Sequence, residues 1–375
     1  MDSLGHFAPS YTYDRDALGR AVDLYSGTPQ QPTWLVTGVS YNGGGQMLGM
    51  TFVGGYTETR QYNANRQMTQ QTAVPVTGVG IDLSYSFGAA NNGRVATATD
   101  HVSGEVVTYT YDQLNRLTQA MTNGGWGQSF SYDGFGNLLQ QTRVQGTAPP
   151  STSVTVDAAT NRITTAGYGY DANGNVTQTP DGAVYGYDVA NRLVTNGAAY
   201  NPRNQRVFDG NYFYCYGAQG ELLGKYQAIW GNSSMGAATV LRMVGMPNLY
   251  FNGRALRLQG HGSGWVMTDR LGSVRANGNG ERMSYYPYGG EVGAETGEGR
   301  VKFGTYTRDS AGLDYADQRY YGAGMGRFNT PDPYRASAAP EIPEVGIATP
   351  MSEAIRSISL TQAEMYVYVL AHMTI

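Results

Sequence analysis

The sequence is built from a short unit that recurs along much of its length. Four clear copies read YTYDQLNRLTQ from Tyr109, FSYDGFGNLLQ from Phe130, YGYDANGNVTQ from Tyr168 and YGYDVANRLVT from Tyr185. The tyrosine of each Tyr-Asp pair stands at position 111, 132, 170 or 187, and a weaker copy at 156–157 divides the longest step. A drifting period of about 20 residues is typical of a repeat architecture, so the chain is expected to fold as an array of similar units.

Each unit predicts a β-hairpin. The aromatic, small, aromatic alternation is typical of a strand. The carboxylate of Asp171 can accept a hydrogen bond from the backbone two residues on, which opens a turn. Gly174 and Asn175 tolerate the left-handed conformation that closes this turn, and Val176 starts the return strand. The predicted repeat-motif residues are Tyr111, Asp112, Arg116, Tyr132, Asp133, Gly136, Tyr170, Asp171, Gly174, Tyr187, Asp188 and Arg192.

The same unit has a calcium-loop alternative, because Asp171, Asn173 and Asn175 alternate around a glycine. A calcium loop needs a glutamate at its twelfth position, and that position is Gly182. Another copy follows its aspartate with Gln113 and a leucine, which removes ligand oxygens while keeping the turn. We therefore interpret the unit as a structural hairpin and predict no metal and no cofactor. The scattered histidines also give no zinc spacing: His6, His101, His261 and His372.

Composition supports an all-β chain and excludes several functions. The 375 residues include 52 glycines and 30 tyrosines, and only 14% are charged, which suits tight turns and packed pleated surfaces. A net charge of −4 has the wrong sign for a nucleic-acid surface. The N-terminus has no signal-peptide pattern, and no apolar run reaches the length of a membrane helix, so we expect no membrane insertion. The single Cys215 allows no intrachain disulfide.

Two longer segments make the resemblance to a known family specific. These are WVMTDRLGSVRANGNGERMSYYPYGGE, from Trp265 to Glu291, and KFGTYTRDSAGLDYADQRYYGAGMGRFNTPDP, from Lys302 to Pro333. They resemble the RHS repeat-associated core, and the hairpin units resemble the YD repeats of the same RHS family, which includes teneurins and the C components of bacterial toxin complexes. The predicted division is a YD/RHS repeat region at 1–224, an associated core at 225–334 and a divergent tail at 335–375.

The core-motif positions that carry this resemblance are Asp269, Leu271, Gly272, Ser273, Pro287, Tyr288, Gly289, Arg308, Asp309, Gly312, Leu313, Tyr315, Arg319, Tyr320, Tyr321, Gly326, Arg327, Phe328, Asp332 and Pro333. Ion pairs between Asp269 and Arg270, and between Arg308 and Asp309, are expected to fix the core. The segment RYYGAGMGRF is expected to pack as a β-arch in which arginines stack on aromatic rings.

The resemblance implies a spiralling sheet of hairpins that forms a hollow shell or part of one, capped by the core. In toxin members such a shell holds a C-terminal cargo, which an aspartyl autoprotease in the core releases. In teneurins the shell is an extracellular adhesion scaffold. The resemblance suggests a secreted or cell-surface location, although the sequence itself leaves the location undetermined.

The sequence departs from the family after Asp332-Pro333. No second Asp-Pro and no cleavage leucine follow, so only Asp332 carries over, as a vestigial autoprotease candidate, and we predict no self-cleavage. In the tail, APEIPEVGIATP is typical of a linker. The segment MYVYVL after it is compatible with either a short helix, capped by Thr361 and Glu364, or a strand.

Three functions remain open from the sequence. The first is a non-enzymatic shell scaffold whose partner is its own cargo domain or a neighbouring protein. The second is a surface adhesion module that stacks exposed aromatic rings on carbohydrate. The third is a hydrolase, which would need a carboxylate pair that the sequence does not reveal.

Overall fold

The computed structural model describes residues 11–89, 91–195, 197–233, 236–262, 264–309 and 312–332. Over these residues the regular structure is entirely β, with 29 strands and no α-helix. None of them therefore forms a helix that is long and apolar enough to cross a membrane. The predicted tail at 335–375 lies outside the described residues. The all-β prediction is confirmed.

The first part of the chain forms one antiparallel sheet of 13 strands that follow each other in chain order. Each strand pairs with the strands before and after it in sequence, as expected when every connection is a hairpin. The strands are β1 (Tyr11–Arg15), β2 (Ala21–Thr28), β3 (Gln31–Tyr41), β4 (Met47–Phe52), β5 (Tyr56–Tyr62), β6 (Met68–Pro75), β7 (Ile81–Ser86), β8 (Thr97–Asp100), β9 (Glu105–Tyr111), β10 (Leu117–Thr122), β11 (Trp126–Tyr132), β12 (Leu138–Gly146) and β13 (Thr152–Ser153).

The two faces of this sheet differ in chemistry. In β5, Tyr56 and Glu58 are buried while Thr57 and Thr59 are exposed, which is the alternation expected of a strand with one covered face. The exposed face carries hydroxyl pairs between neighbouring strands, including Thr59 with Thr72 at 2.6 Å between their oxygens. We call the covered side the packed face and the threonine-rich side the polar face.

After the large sheet the repeats become shorter. Two small strands, β14 (Gly169–Tyr170) and β15 (Val176–Gln178), pair with each other, and isolated bridges join the neighbouring units. A five-stranded antiparallel sheet follows, and β19 runs through the predicted boundary between residues 224 and 225. Its strands are β16 (Ala199–Tyr200), β17 (Arg206–Phe208), β18 (Tyr212–Tyr216), β19 (Leu222–Ser233) and β20 (Gly236–Met243).

The remaining strands belong to the predicted core. They form two hairpins and a five-stranded sheet. Its strands are β21 (Leu249–Phe251), β22 (Arg254–Arg257), β23 (Val266–Thr268), β24 (Val274–Asn277), β25 (Arg300–Val301), β26 (Thr307–Arg308), β27 (Leu313–Ala316), β28 (Arg319–Gly322) and β29 (Arg327–Phe328).

The core hairpins lie on the packed face of the large sheet. Buried Phe251, Trp265 and Met267 share one apolar cluster with Leu24 and Tyr56 of the sheet. Further along, Tyr286 packs with Trp126 in a second cluster, with ring centroids 5.0 Å apart. Burial of this shared apolar surface is the main driving force that holds the core against the repeats.

The first strand also meets the core. The Tyr13 hydroxyl donates a 3.2 Å hydrogen bond to the carbonyl oxygen of Tyr250, and the Tyr13 ring stacks 5.9 Å from that of Phe251. Tyr250 in turn donates to the carbonyl of Leu222 at the start of β19. The core is therefore hydrogen-bonded to both the earliest and the latest described repeats.

Candidate functional site in the repeat turns and the core

The turn of each repeat is organised by one carboxylate. Asp112 accepts hydrogen bonds at Oδ1 from the backbone N–H groups of Leu114 and Arg116, both at 2.9 Å. Its Oδ2 accepts from Arg116 Nε at 2.7 Å. Asn115 has a positive φ of 67°, and the Asp112 N–H donates to the Arg116 carbonyl. These contacts define a three-residue hairpin loop closed by a left-handed residue and a bulge.

The same bonds recur at the other Tyr-Asp units. The two oxygens of the aspartate accept from the i+2 or i+4 backbone and from the i+4 side chain, which is arginine or asparagine. Partial desolvation opposes ionisation of Asp112, but its hydrogen bonds and Arg116 together lower its pKa. Asp112, Asp133, Asp171 and Asp188 each accept a hydrogen bond at Oδ1 from the i+4 backbone N–H, and their predicted role in the repeat remains a prediction.

Three further units replace the aspartate by asparagine and change its partner accordingly. Asn42 keeps the Oδ1 contacts to the backbone, while its Nδ2 donates to Gln46 Oε1 at 3.0 Å. Asn63 pairs with Gln67 in the same way at 2.7 Å. The i+4 residue is thus a donor where the turn residue is aspartate and an acceptor where it is asparagine. A third such pair joins Asn201 and Gln205.

Neighbouring units are joined through the repeat tyrosine. Tyr132 donates its hydroxyl proton to the carbonyl of Leu117, the residue after Arg116, at 2.7 Å. The Arg116 guanidinium lies 4.9 Å from the centroid of the same tyrosine ring. Burial raises the pKa of Tyr132, so its hydroxyl stays a donor. The same hydroxyl-to-carbonyl bond is made by Tyr41, Tyr62, Tyr111, Tyr187, Tyr200, Tyr216 and Tyr285.

The turns also touch each other along the edge of the sheet. Arg116 Nη1 donates to the backbone carbonyl of Asp133 in the next turn at 2.7 Å. Asn175 Nδ2 donates to Asn191 Oδ1 in the next turn at 2.9 Å. This lateral ladder was not predicted from the sequence, because the motif shows each turn alone and not which turn lies beside it.

The calcium-loop alternative is not favoured by the contacts of Asp171. Its Oδ1 accepts from the Asn175 backbone and its Oδ2 from the Asn175 side chain, at 2.9 and 2.7 Å. The left-handed backbone conformation predicted for two residues is present at Gly174, which has a φ of 89°. The prediction is wrong for Asn175, which does not have a positive φ. Asn175 instead directs its amide at the carboxylate. The described residues contain no cluster of three or more metal-ligating side chains.

The core contains a second set of charged pairs, and these are buried. Arg308 binds Asp314 through Nε and Nη2 and donates a 2.9 Å bond to the Gly289 carbonyl. Both side chains are almost fully inaccessible. Burial raises the pKa of Asp314 even though Arg308 opposes the change. The predicted pair of Arg308 with Asp309 is wrong, because Arg308 is bound to Asp314 and Asp309 is bound to another arginine.

Asp309 binds Arg206 of the repeat region instead. Arg206 is buried and also donates from Nη1 to the Tyr320 hydroxyl at 2.6 Å. Its guanidinium lies 4.4 Å from the Tyr315 ring centroid and 4.7 Å from that of Tyr214. Such stacking on aromatic faces favours a desolvated guanidinium. The arginine–aromatic contact predicted within RYYGAGMGRF is also present, because Arg319 lies over the ring of Phe328.

The DRLGS segment of the core forms another repeat-type turn. Asp269 Oδ1 accepts from the backbone of Leu271 and Ser273 at 2.9 and 3.1 Å, and Gly272 has a φ of 86°. Its charged partner is Arg275 at 3.7 Å, so the expected pair with Arg270 is also wrong. The Arg270 side chain lies over the ring of Tyr85 in the repeat sheet.

The Tyr-Pro-Tyr-Gly segment forms a similar tight turn. The Tyr286 N–H donates to the Gly290 carbonyl at 2.8 Å across Pro287, and Gly289 has a φ of 92°. A Cβ added to Gly289 would lie 2.8 Å from the Phe303 ring, so both the backbone conformation and the packing require glycine. Tyr288 hydrogen-bonds through its hydroxyl to that of Tyr132.

The last core strands pack on the short repeats. Leu313, Tyr315 and Tyr320 form a buried cluster with side chains of the later repeats. Arg327 Nη2 donates to Asn137 Oδ1 at 2.6 Å, which joins the core to a repeat turn. Tyr321 and Phe328 make an edge-to-face ring contact. Gly312 and Gly326 both have positive φ.

Asp332 ends the described chain and lies on the surface. Its Oδ2 is 3.1 Å from Arg319 Nη2, and the Arg319 guanidinium lies 3.9 Å from the Phe328 ring centroid. The structure thus places the autoprotease candidate beside a cation. Pro333 lies outside the described residues.

A buried histidine that the sequence did not single out lies at the start of the core. His261 Nε2 contacts the Val301 carbonyl oxygen at 2.7 Å and Nδ1 contacts Asn277 Nδ2 at 3.2 Å. Burial lowers its pKa to about 4. Nearby, Glu281 binds Arg300 at 2.7 Å, and this contact lowers the glutamate pKa to about 2. His261 is therefore neutral at neutral pH and donates from Nε2.

Comparison with known proteins finds one matching family profile and several solved structures of similar fold. The RHS Repeat family profile matches residues 91–125. The structure of TcdB2-TccC3 has a TM-score of 0.61 and 18% identity over 86% of this chain and 20% of the other. The Tc holotoxin pore of Photorhabdus luminescens also has a TM-score of 0.61, with 17% identity over 86% and 19%. TcdB2-TccC3 without its hypervariable C-terminal region gives 0.61 and 18% over 86% and 19%.

No curated protein sequence matches the chain. The chain spans about one fifth of the length of the solved structures that it resembles. At this level of identity the likeness is one of fold.

Proposed function

We propose that this chain is a member of the RHS/YD-repeat family and a non-enzymatic scaffold that forms one section of an RHS β-shell. In this section the repeat sheet is closed by its own associated core. The division into repeats at 1–224, core at 225–334 and tail at 335–375 is part of the proposal. So are the structural roles of the repeat-motif and core-motif residues.

The observation that carries the proposal is the cover on the packed face of the large sheet. Side chains from β21 to β24 fill this face over β2 to β7, and Tyr286 and Tyr288 continue the cover over β9 to β12. A sheet covered along its length by a core from the same chain is suited to act as the closed end of a shell.

A scaffold role without catalysis agrees with the contacts of the core carboxylates. Asp309, Asp314 and Glu291 are bound to Arg206, Arg308 and Lys302 respectively. An aspartyl protease instead needs two carboxylates that share a proton. We therefore expect no self-cleavage at Asp332.

The partner that we propose is a protein. The related structures are described by their names as TcdB2-TccC3 and as a Tc holotoxin pore. For this chain we propose a cargo domain or a neighbouring component of a secreted or cell-surface toxin system. Carbohydrate binding through aromatic faces is the second candidate, and exposed Trp34 and Phe135 would be its contacts. It has weaker support, because the repeat tyrosines use both ring and hydroxyl within the sheet.

Limited trypsin digestion of the full chain, read by intact mass, tests the scaffold proposal. We expect a protected fragment that ends close to Asp332 and an undigested sample with full-length mass at pH 5 and pH 7. The matched variant Asp332→Asn should behave identically. A shortened mass in the wild type that is absent from Asp332→Asn would contradict the non-enzymatic proposal, and digestion throughout the repeats would contradict the closed scaffold.

A further inference from the structure

An open polar cavity lies between the large sheet and the core, away from the repeat turns and the charged pairs described above. Its volume is about 430 Å³. The β8–β9 and β10–β11 hairpins line it on the sheet side, and residues 282–284 line it on the core side. Sites for small ligands have volumes of this order and bind through a few polar groups that converge on the ligand.

The wall on the sheet side is held in place by its own hydrogen bonds. Asn123 joins the two hairpins, because its Nδ2 donates to the Gly104 carbonyl at 3.0 Å and its Oδ1 accepts from the Val106 N–H at 3.2 Å. Asp100 Oδ1 accepts from the Ser103 N–H at 3.3 Å. A ligand therefore meets a wall that is already ordered, which lowers the entropic cost of binding.

Two of the three charged side chains that line the cavity neutralise each other. Asp100 Oδ2 accepts from Arg282 Nη2 at 2.7 Å, and Arg275 Nη2 lies 3.6 Å from the same oxygen. Arg282 also donates from Nη1 to the Gly80 carbonyl. The cation of the wall is thus already paired, so an anionic ligand is not favoured.

The third charged side chain, Glu105 at the start of β9, is half-buried and forms no ion pair among the described residues. Its Oε1 accepts from Trp126 Nε1 at 3.0 Å. The neutral indole orients the carboxylate without neutralising it, and a carboxylate keeps lone pairs for further donors. Because the surrounding protein screens this charge less than water does, the cavity favours a cationic ligand.

The other lining groups indicate which kind of cation fits. Ser103 of the sheet and Ser284 of the core line the same cavity, and their hydroxyl oxygens can accept hydrogen bonds. A guanidinium presents five N–H donors in one plane and has no acceptor. It is also less strongly hydrated than an ammonium, so it enters a partly buried site at a lower cost.

We propose that this cavity binds a guanidinium group, of the kind carried by arginine, with Glu105 as its counter-ion. The ligand contacts both walls, because the serines that line the cavity belong to the sheet and to the core. The site goes beyond the scaffold function, since a section of a shell does not require it.

Isothermal titration calorimetry of the full chain at constant ionic strength tests the site. N-acetyl-arginine amide should bind with saturation. N-acetyl-citrulline amide has the same shape without the charge and should bind at least about tenfold more weakly. Equal affinities for the two probes, or no saturable binding of the arginine probe, would overturn the proposal. Free arginine is titrated in parallel, and the tighter of the two arginine forms identifies a peptide side chain or the free amino acid as the source.

Glu105→Gln tests the counter-ion. Glutamine keeps an oxygen that can accept from the Trp126 indole and removes only the charge, so the arginine probe should bind at least about tenfold more weakly. Glu298→Gln is the matched control, because Glu298 is exposed and does not line the cavity, and it should bind as the wild type does. Unchanged affinity in Glu105→Gln would overturn the proposal. The comparison of arginine with citrulline uses the wild type and does not depend on how the variant folds.

Discussion

The repeat turns and the core use the same ion pair in opposite surroundings. Asp112 and Arg116 retain 24% and 18% of their side-chain exposure, whereas Asp314 and Arg308 retain 0% and 4%. In the turn, the pair orders a backbone loop that water still reaches. In the core, the pair is almost completely removed from water. The comparison shows that an aspartate–arginine pair can stabilise a local backbone turn in one region and buried packing in another.

The two regions also differ in how many combinations of residue types can form the pair. The turns occur with aspartate and arginine, aspartate and asparagine, or asparagine and glutamine, and all keep the same backbone contacts. Because water still reaches the turn pair, its charge contributes little, and only the order of donor and acceptor has to match. A buried pair has no such freedom, since either partner alone leaves a desolvated charge.

The largest expected effect comes from breaking a core pair. Arg308→Met leaves the Asp314 carboxylate buried without its cation, and we expect a loss of about 3–5 kcal/mol in the free energy of unfolding, measured with urea. Arg192→Met in a repeat turn is the matched control and should cost about 1 kcal/mol or less. The double variant Arg308→Met/Asp314→Leu should recover most of the loss. Equal losses in the two single variants would show that burial does not determine how much the pair contributes to stability.

The second effect is a dependence of stability on pH that originates in the core. His261 has a pKa of about 4 in the folded protein against an ordinary value of about 6.5, so the folded state favours the neutral ring. Its contribution is complete above about pH 6.5 and is lost as the pH falls toward 4, by up to about 3 kcal/mol. The groups that face the ring are Asn277, Glu281, Arg300, Val301 and Lys302.

Urea unfolding between pH 7.5 and pH 4.5 checks this effect. His261→Gln cannot gain a charge, so its stability should fall less steeply over this range than that of the wild type. His101→Gln is the control, because His101 is exposed at the end of a repeat hairpin. If His101→Gln flattened the profile and His261→Gln did not, the buried histidine would not be the origin of the acid sensitivity.

A third and smaller effect concerns the turn backbone. Gly136 occupies the left-handed position of its turn with a φ of 88°. Gly136→Ala should therefore cost about 1–2 kcal/mol, measured by thermal unfolding. Gly134 lies in the same turn without a positive φ, and a Cβ there would meet no atom within 4 Å. Gly134→Ala should be nearly neutral, and a similar cost at both positions would argue against backbone strain as the cause.

The repeat turn can be predicted from the sequence because the groups that form it are close together along the chain. The aspartate, its backbone donors and the left-handed residue lie within five positions of each other. The partners of the core charges could not be predicted in this way. Asp309 meets Arg206 from 103 positions away, and only the docking of the core on the later repeats brings them together.

The contacts of the repeat tyrosines can be predicted from the sequence only in part. Tyr132 bonds the carbonyl of Leu117, which is 15 positions earlier and belongs to the neighbouring unit. The regular spacing predicts that units are neighbours, but it does not show which backbone group a hydroxyl reaches. The contacts between neighbouring turns could not be predicted for the same reason. The recurrence of arginine, asparagine or glutamine at the i+4 position is the sequence feature that indicates them.

The smallest expected effect tests whether the turn pair is governed by donor and acceptor order. Asp112→Asn places an amide N–H against the Arg116 guanidinium, so two donors face each other and we expect a loss of about 1 kcal/mol. The double variant Asp112→Asn/Arg116→Gln recreates the order seen at Asn42 and Gln46 and should regain at least half of that loss. Glutamine keeps a donor for the next turn, as Gln46 does by donating to the Arg66 carbonyl at 2.7 Å. If the double variant were less stable than Asp112→Asn alone, charge and not hydrogen-bond order would govern the turn, and the repeat turns would resemble the buried core more closely than their exposure indicates.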